Sequence, residues 1–268
     1  MLTQWIFATI IIFFASVLQA ATGFGFAIMA TPFLLLIFDS RECIQISIIL
    51  SFVVSLLLIR KIIEDVDKDL LCSLIIGSVV GVPLGVLFYK FINLDVLKVT
   101  VSIVILIISL ILIKRSFKFN PEIKIEDLSD NSSVNQDTIV ADSTIVFRKT
   151  QLFVGLCAGL FTASIGMPGV PLILYYSAMN TKKEKARSTT LAFFIFVYII
   201  SLAIQLLTVK TNLNIVASSL GLIPVVVGGV FVGNILFVKI NQITFQRIAY
   251  GILLFTGFYM LILMLLIN

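Results

Sequence analysis

Ten apolar stretches confine this chain to a lipid bilayer. They run over about 3–21, 23–38, 43–60, 70–90, 96–114, 149–164, 166–180, 188–209, 214–238 and 247–267. A membrane helix needs roughly 18 or more apolar residues, and most of the stretches meet that length. Lipid offers no hydrogen-bond partners, so each crossing has to satisfy its own backbone, as a helix does. The composition agrees: 60% of residues are hydrophobic and 12% charged, against about 25% charged in a soluble domain. The chain therefore reads as an all-α polytopic membrane protein with about 8–10 membrane segments.

Several function classes fall away at once. The chain has no histidine, which removes His-based zinc sites, haem ligation by His and Ser-His-Asp catalysis. Cys43, Cys72 and Cys157 are scattered in apolar sequence and read as small buried hydrophobes rather than a disulfide framework or metal cluster. Neither a metal nor a cofactor is expected. The net charge of +5 fits cytoplasmic loops of a membrane protein better than a nucleic-acid surface. The N-terminal MLTQWIFATII has no basic leader region and reads as the first membrane helix, not a signal peptide.

Charge decides how the short stretches are counted. The second and seventh are short, about 16 residues, and the sixth, which abuts the seventh, is similar. If each crosses, or doubles back on its neighbour, 15 of the 19 basic residues fall on one side. If they merge with their neighbours into single crossings, the basic residues split almost evenly. Positive charge collects on the cytoplasmic side, so the first arrangement is preferred. It puts both termini outside.

The hydrophilic stretch 115–148 is rich in Asp, Asn and Ser. It has little apolar surface to bury and reads as a cytoplasmic linker. It divides the chain into an N-terminal transmembrane repeat, 1–114, and a C-terminal one, 149–268. The fourth stretch of each half carries glycines at helical spacing: Gly77, Gly81 and Gly85, then Gly229 and Gly233. Small residues at that interval let membrane helices approach closely. Each half has an odd number of segments, so the second enters the membrane from the opposite side. The expected plan is two inverted-topology repeats, a common transporter design.

Two matched stretches break the helical pattern. The first is QAATGFGFAIMATPFL at 19–34; the second is AGLFTASIGMPGVPLIL at 158–174. Gly23, Gly25 and Pro32 in one, and Gly166, Pro168, Gly169 and Pro171 in the other, disfavour a continuous helix. Non-helical backbone at membrane depth survives only inside protein or along a water-filled cavity. Broken or re-entrant segments at corresponding places in two halves point to a substrate site. A helix starting at Gly25 or Gly169 aims free N–H groups and a positive dipole end at the break, which favours an anion. Thr22, Thr31, Thr162 and Ser164 add hydroxyls, and Gln19 an amide. Arg187 has two readings, a guanidinium reaching the cavity or a topological anchor at the cytoplasmic surface. The site residues expected here are Gln19, Thr22, Gly23, Gly25, Pro32, Thr162, Ser164, Gly166, Gly169, Pro171 and Arg187.

No Asp, Glu, His, Lys or Arg falls in the middle of a stretch. Proton-driven carriers usually keep one there, so proton coupling through an acidic side chain is not expected. The membrane potential, about 2.3 kcal/mol per charge per 100 mV, suffices to expel an anion. Thr162-Ala163-Ser164-Ile165-Gly166 has the look of a nucleophile elbow but lacks its first glycine. Ser164 has no histidine base, and the chain is not expected to be an enzyme.

At these residues the chain resembles the sulfite exporter TauE/SafE family. TGFGFAIMATPFLLL is similar to that family's N-terminal signature, and SIGMPGVPLILYYSAMNTKKEKARSTT to its C-terminal counterpart, with Leu174-Tyr175 followed by a loop and Arg187. Where family members often carry two consecutive prolines, this chain has Met167, Pro168, Gly169, Val170 and Pro171. The resemblance implies a multi-pass transporter in the bacterial cytoplasmic membrane, associated with export of sulfite or small organosulfonates. The expected function is thus a secondary transporter exporting a small sulfur-containing oxyanion by alternating access. The alternatives are a carrier for another small anion or metabolite, and a non-transporting membrane scaffold or assembly factor. The expected partners are a small anionic substrate and the bilayer, without nucleic acid and with room for a homo-oligomer.

Overall fold

The computed structural model of the chain describes residues 2–38, 40–60, 62–93, 136–179, 181–209 and 213–239, with scattered positions between 95 and 110 and between 254 and 262. The apolar stretches 96–114 and 247–267 lie largely outside the described residues, and 115–135 of the linker entirely so. The described elements are α1 (Leu2–Thr22), α2 (Phe26–Phe38), α3 (Glu42–Ile59), a short 3-10 turn (Ile63–Asp65), α4 (Lys68–Phe91), α5 (Gln136–Ile165), α6 (Gly169–Met179), α7 (Lys183–Val209) and α8 (Leu213–Lys239). α5 begins inside the stretch read as linker, whose second part continues the helix. Among the described residues, α1, α3, α4, α7 and α8 contain spans long and apolar enough to cross a bilayer.

Large apolar side chains cover the outside of the bundle as well as filling its core, and polar ones are buried among them. Phe7, Phe14, Leu84, Leu87, Leu207 and Phe231 point outward, whereas Ser16, Ser47, Ser51, Ser55, Thr190 and Gln205 are buried. Apolar side chains face lipid at no cost, while polar ones need partners inside the bundle.

Both short helices double back. The Trp5 and Phe38 rings lie 4.9 Å apart, and Gln4 Nε2 donates to Ile37 O at 3.1 Å. The end of α2 therefore returns to the start of α1. Gln151 Nε2 donates to the Tyr175 hydroxyl at 3.1 Å, so α6 likewise turns back along α5. Merging either pair into one crossing is ruled out by these contacts.

The basic loops consequently share a side. Ser188 Oγ donates to Asp65 O at 2.8 Å, Asp67 N donates to Thr189 Oγ1 at 3.0 Å, and Lys185 pairs with Asp67 at 2.9 Å. These bonds hold the start of α7 against the loop between α3 and α4. At the other face Arg41 Nη1 donates to Tyr89 O, and the Tyr89 hydroxyl donates to Arg41 O at 3.1 Å. That exchange ties the start of α3 to the end of α4.

The glycine ladders explain how the halves join. A Cβ on Gly77 would strike the Leu152 carbonyl, one on Gly81 the Leu156 carbonyl, and one on Gly85 the Leu160 carbonyl. Positions rise together, so α4 and α5 run parallel in backbone contact. Gly155 and Gly159 return the favour against Leu74 and Ser78. Gly229 and Gly233 bring α8 equally close to Phe13, Ser16, Val17 and Ala20 of α1, again in parallel. The fourth helix of each half therefore packs on the first helix of the other. Backbone approach at this range needs residues without a Cβ.

Candidate functional site

Both breaks occur where the glycines are. Gly23 (φ 86°) and Gly25 (φ 135°) separate α1 from α2, and Gly166 (φ 76°) ends α5. These backbone conformations cost L-residues with a side chain about 1–2 kcal/mol. At the first break Gly23 N donates to Gln19 O at 2.7 Å. Phe24 N donates to Thr22 Oγ1 at 2.9 Å, and that hydroxyl donates to Leu18 O at 2.8 Å. At the second, Gly166 N donates to Thr162 O at 2.9 Å and Met167 N to Phe161 O at 3.0 Å. Pro32 sits inside α2, and Pro171 in the first turn of α6; both are buried.

The helix that follows the second break starts against the first. A Cβ on Gly169 would lie 3.2 Å from Phe24 Cβ, 3.5 Å from Phe194 and 3.7 Å from Ile28. The start of α6 therefore rests against the start of α2. Gly166 faces Thr31, Ile44 and Ile48, and Thr31 shares a 2.8 Å hydrogen bond with Ser47. Two antiparallel half-helices thus begin side by side, each with first-turn N–H groups that its own helix cannot use.

Arg187 is an interior residue, 5% exposed. Its stem covers Gly23, whose Cβ would come within 2.7 Å of Arg187 Cγ. Its Nη2 donates to Ala20 O and, at 2.9 Å, to Asn234 Oδ1 of α8. A guanidinium on the closing carbonyls of α1 also complements the negative end of that helix.

The remaining expected residues divide by partner. Gln19 Nε2 reaches α3, donating to Ser55 Oγ at 2.9 Å and to Ser51 O. Thr162 and Ser164 donate to carbonyls of their own helix, Ala158 O at 2.6 Å and Leu160 O at 2.7 Å. The structure therefore brings together Gly23 with Arg187, and Gly169 with the start of α2. The hydroxyls of Thr22, Thr162 and Ser164 close helix turns.

The amino-acid sequence matches one family profile. The profile described as Sulfite exporter TauE/SafE matches residues 8–260, nearly the whole chain. The chain belongs to the TauE/SafE family. No curated protein and no solved structure matches it. TauE/SafE proteins are membrane transporters, and sulfite export is the function for which the family is described. This TauE/SafE chain is accordingly a multi-pass protein that works in a lipid bilayer.

Two residues that hydrogen-bond at the breaks of this TauE/SafE protein escaped sequence reasoning. Asn234 holds Arg187. Gln205, on α7, donates from Nε2 to Ala163 O at 2.9 Å. Ala20 and Ala163 each stand three residues before the glycine of their break. Arg187 and Gln205 are eighteen residues apart on α7, five turns at 3.6 residues per turn, and so share a helix face. One face of α7 thereby clips the orphan carbonyls of both breaks. An uncharged amide in an apolar helix was the available signal, since such groups need a partner in lipid.

Proposed function

We propose that this chain is a secondary transporter that carries a small sulfur-containing oxyanion, sulfite or an organosulfonate, out of the cell by alternating access. The observation that carries this reading is the convergence of two half-helix starts at Phe24 and Gly169. Their free N–H groups and positive dipole ends favour a compact anion, and buried Arg187 adds positive charge beside the first break. Family membership supports sulfite or a sulfonate as the anion.

The same reading takes the halves as inverted repeats moving against each other about the breaks. The exchanged glycine-lined helix pairs, α4 on α5 and α8 on α1, support it, because each half repeats the same order of roles. The basic loops at 60–68 and 182–187 form the cytoplasmic face in this view, by the positive-inside bias. Both termini then lie outside, in a bacterial cytoplasmic membrane.

The test is sulfite flux into proteoliposomes with the wild type and with Gly169→Leu. The added side chain would wedge between Phe24, Ile28 and Phe194. Flux in the wild type and its loss in a variant that still inserts into membranes is the expected result. Unchanged flux in Gly169→Leu would overturn the site, and no flux of any small anion in the wild type would favour a scaffold.

A further inference from the structure

We propose that the end of α5 binds a monovalent alkali cation, held by Gln205, Ser201 and the last carbonyls of that helix. The inference comes from comparing the two breaks. At the first, the guanidinium of Arg187 lies on Ala20 O. At the second, the equivalent carbonyl, Ala163 O, meets only the neutral amide of Gln205. A half-helix end carries partial negative charge on its unsatisfied carbonyls. One break thus carries a cationic side chain on its closing carbonyl and the other a neutral amide.

The oxygens needed are present and idle. Gln205 is 0% exposed, and its Nε2 is fixed by a carbonyl, which can only accept. Its Oε1 therefore points elsewhere, and it has no partner. Ser201, one turn earlier on the same face, is also 0% exposed, and its Oγ has no partner. Two buried polar atoms left this way are costly unless something fills the gap. The backbone adds more. Met167 N is turned to Phe161 O and so leaves Ala163 O free of it. Pro168, four residues after Ser164, has no N–H to offer the Ser164 carbonyl.

Hydroxyl, amide and carbonyl oxygens suit a hard cation. The set is neutral, so a single charge is matched by dipoles, whereas a divalent ion would keep an uncompensated charge in the bundle. Half-helix ends with unwound carbonyls are where coupling cations bind in broken-helix transporters. The site would supply a coupling ion without any acidic side chain in the membrane. It goes beyond the proposed function, since the ion's binding does not depend on which anion is carried.

The experiment is the melting temperature of the purified full-length protein in sodium, potassium, lithium or choline chloride at equal ionic strength, with no sulfite present. A bound ion stabilises by mass action, and a rise of about 3 °C over choline in at least one alkali salt is expected at 150 mM for a chain of this size. Equal melting temperatures in all four salts would overturn the proposal. Gln205→Arg places at the second break the group that Arg187 provides at the first, and its alkali response should vanish. A full response in folded Gln205→Arg would overturn the site. Should that variant not fold, Ser201→Ala removes a ligand without breaking a hydrogen bond, and it should shrink the shift. An undiminished shift there would equally overturn the assignment. Because sulfite is left out, a negative result here leaves the flux test untouched.

Discussion

The two breaks use the same backbone device and finish it with different chemistry. Each ends a long helix with a glycine in the left-handed region, and each leaves an alanine carbonyl three residues earlier for α7 to cover. Arg187 covers the first with a permanent charge and buries its stem on Gly23. Gln205 covers the second with a dipole and touches nothing so tightly. The neighbours of Gly166 would stand 3.4 Å or more from an added Cβ. The first break is therefore locked by tight side-chain packing on its glycine, whereas the second is held by its backbone bonds and the Gln205 amide without that packing.

The sharpest way to break that comparison is to place alanine at both glycines. Gly23→Ala forces a left-handed alanine against Arg187, whose Cα would be 2.9 Å from the new Cβ. A loss of about 3 kcal/mol or more is expected, strain and overpacking combined. Gly166→Ala incurs the strain alone, about 1–2 kcal/mol. Unfolding in detergent measures both, and equal losses would show that Arg187 does not tighten the first break.

Next in size is Asn234→Leu. It leaves Arg187 on Ala20 O but deletes its α8 acceptor at 2.9 Å. A hydrogen bond to a charged group is worth about 1.5–3 kcal/mol, so stability should fall by that order. The corresponding change near Gln205 has no such anchor to lose. Sulfite flux should fall with stability, because α8 and α1 would no longer be bridged at the break.

A smaller effect is expected at the latch between the loop before α4 and the start of α7. Burial alone would raise the Asp67 carboxyl, but the hydrogen bond and charge of Lys185 and the Leu70 amide outweigh it and hold it below its usual value. The latch therefore contributes fully above the ordinary aspartate value of 3.8 and is lost as pH falls through the lowered folded value. Both side chains are partly exposed to solvent, so the contribution is screened and small. Asp67→Asn should flatten the acid limb of the stability profile; an unchanged limb would assign it to other carboxylates. Smallest of all is Gly221→Ala on α8, where a Cβ meets nothing within 4 Å. Helix propensity predicts a gain of up to about 1 kcal/mol, with lipid rather than protein as the new neighbour.

Much of the site was legible because it is written in local chemistry. Gly23, Gly25 and Gly166 announce breaks through their backbone freedom, and all three have positive φ. The ladder Gly77, Gly81 and Gly85 announces a close helix contact and makes one. Other features were legible only as types. Thr22, Thr162 and Ser164 were visible as hydroxyls, but their hydrogen bonds close helix turns. A sequence shows a donor, not the acceptor that reaches it first.

By itself, then, the sequence determined the solvent, the helical class, the positions of the breaks and the pairing of short with long segments. Hydrophobicity, glycine, proline and charge bias act on each residue where it stands, so no fold is needed to read them. Only the tertiary structure decided that Arg187 is buried beneath Gly23 rather than anchored at the surface, and that Gln205 faces the second break. The Arg187 bond to Ala20 spans 167 residues, and the Gln205 bond to Ala163 spans 42. Which donor meets which orphan carbonyl depends on how α7 is laid across both halves, and that is fixed by the packing of the bundle as a whole.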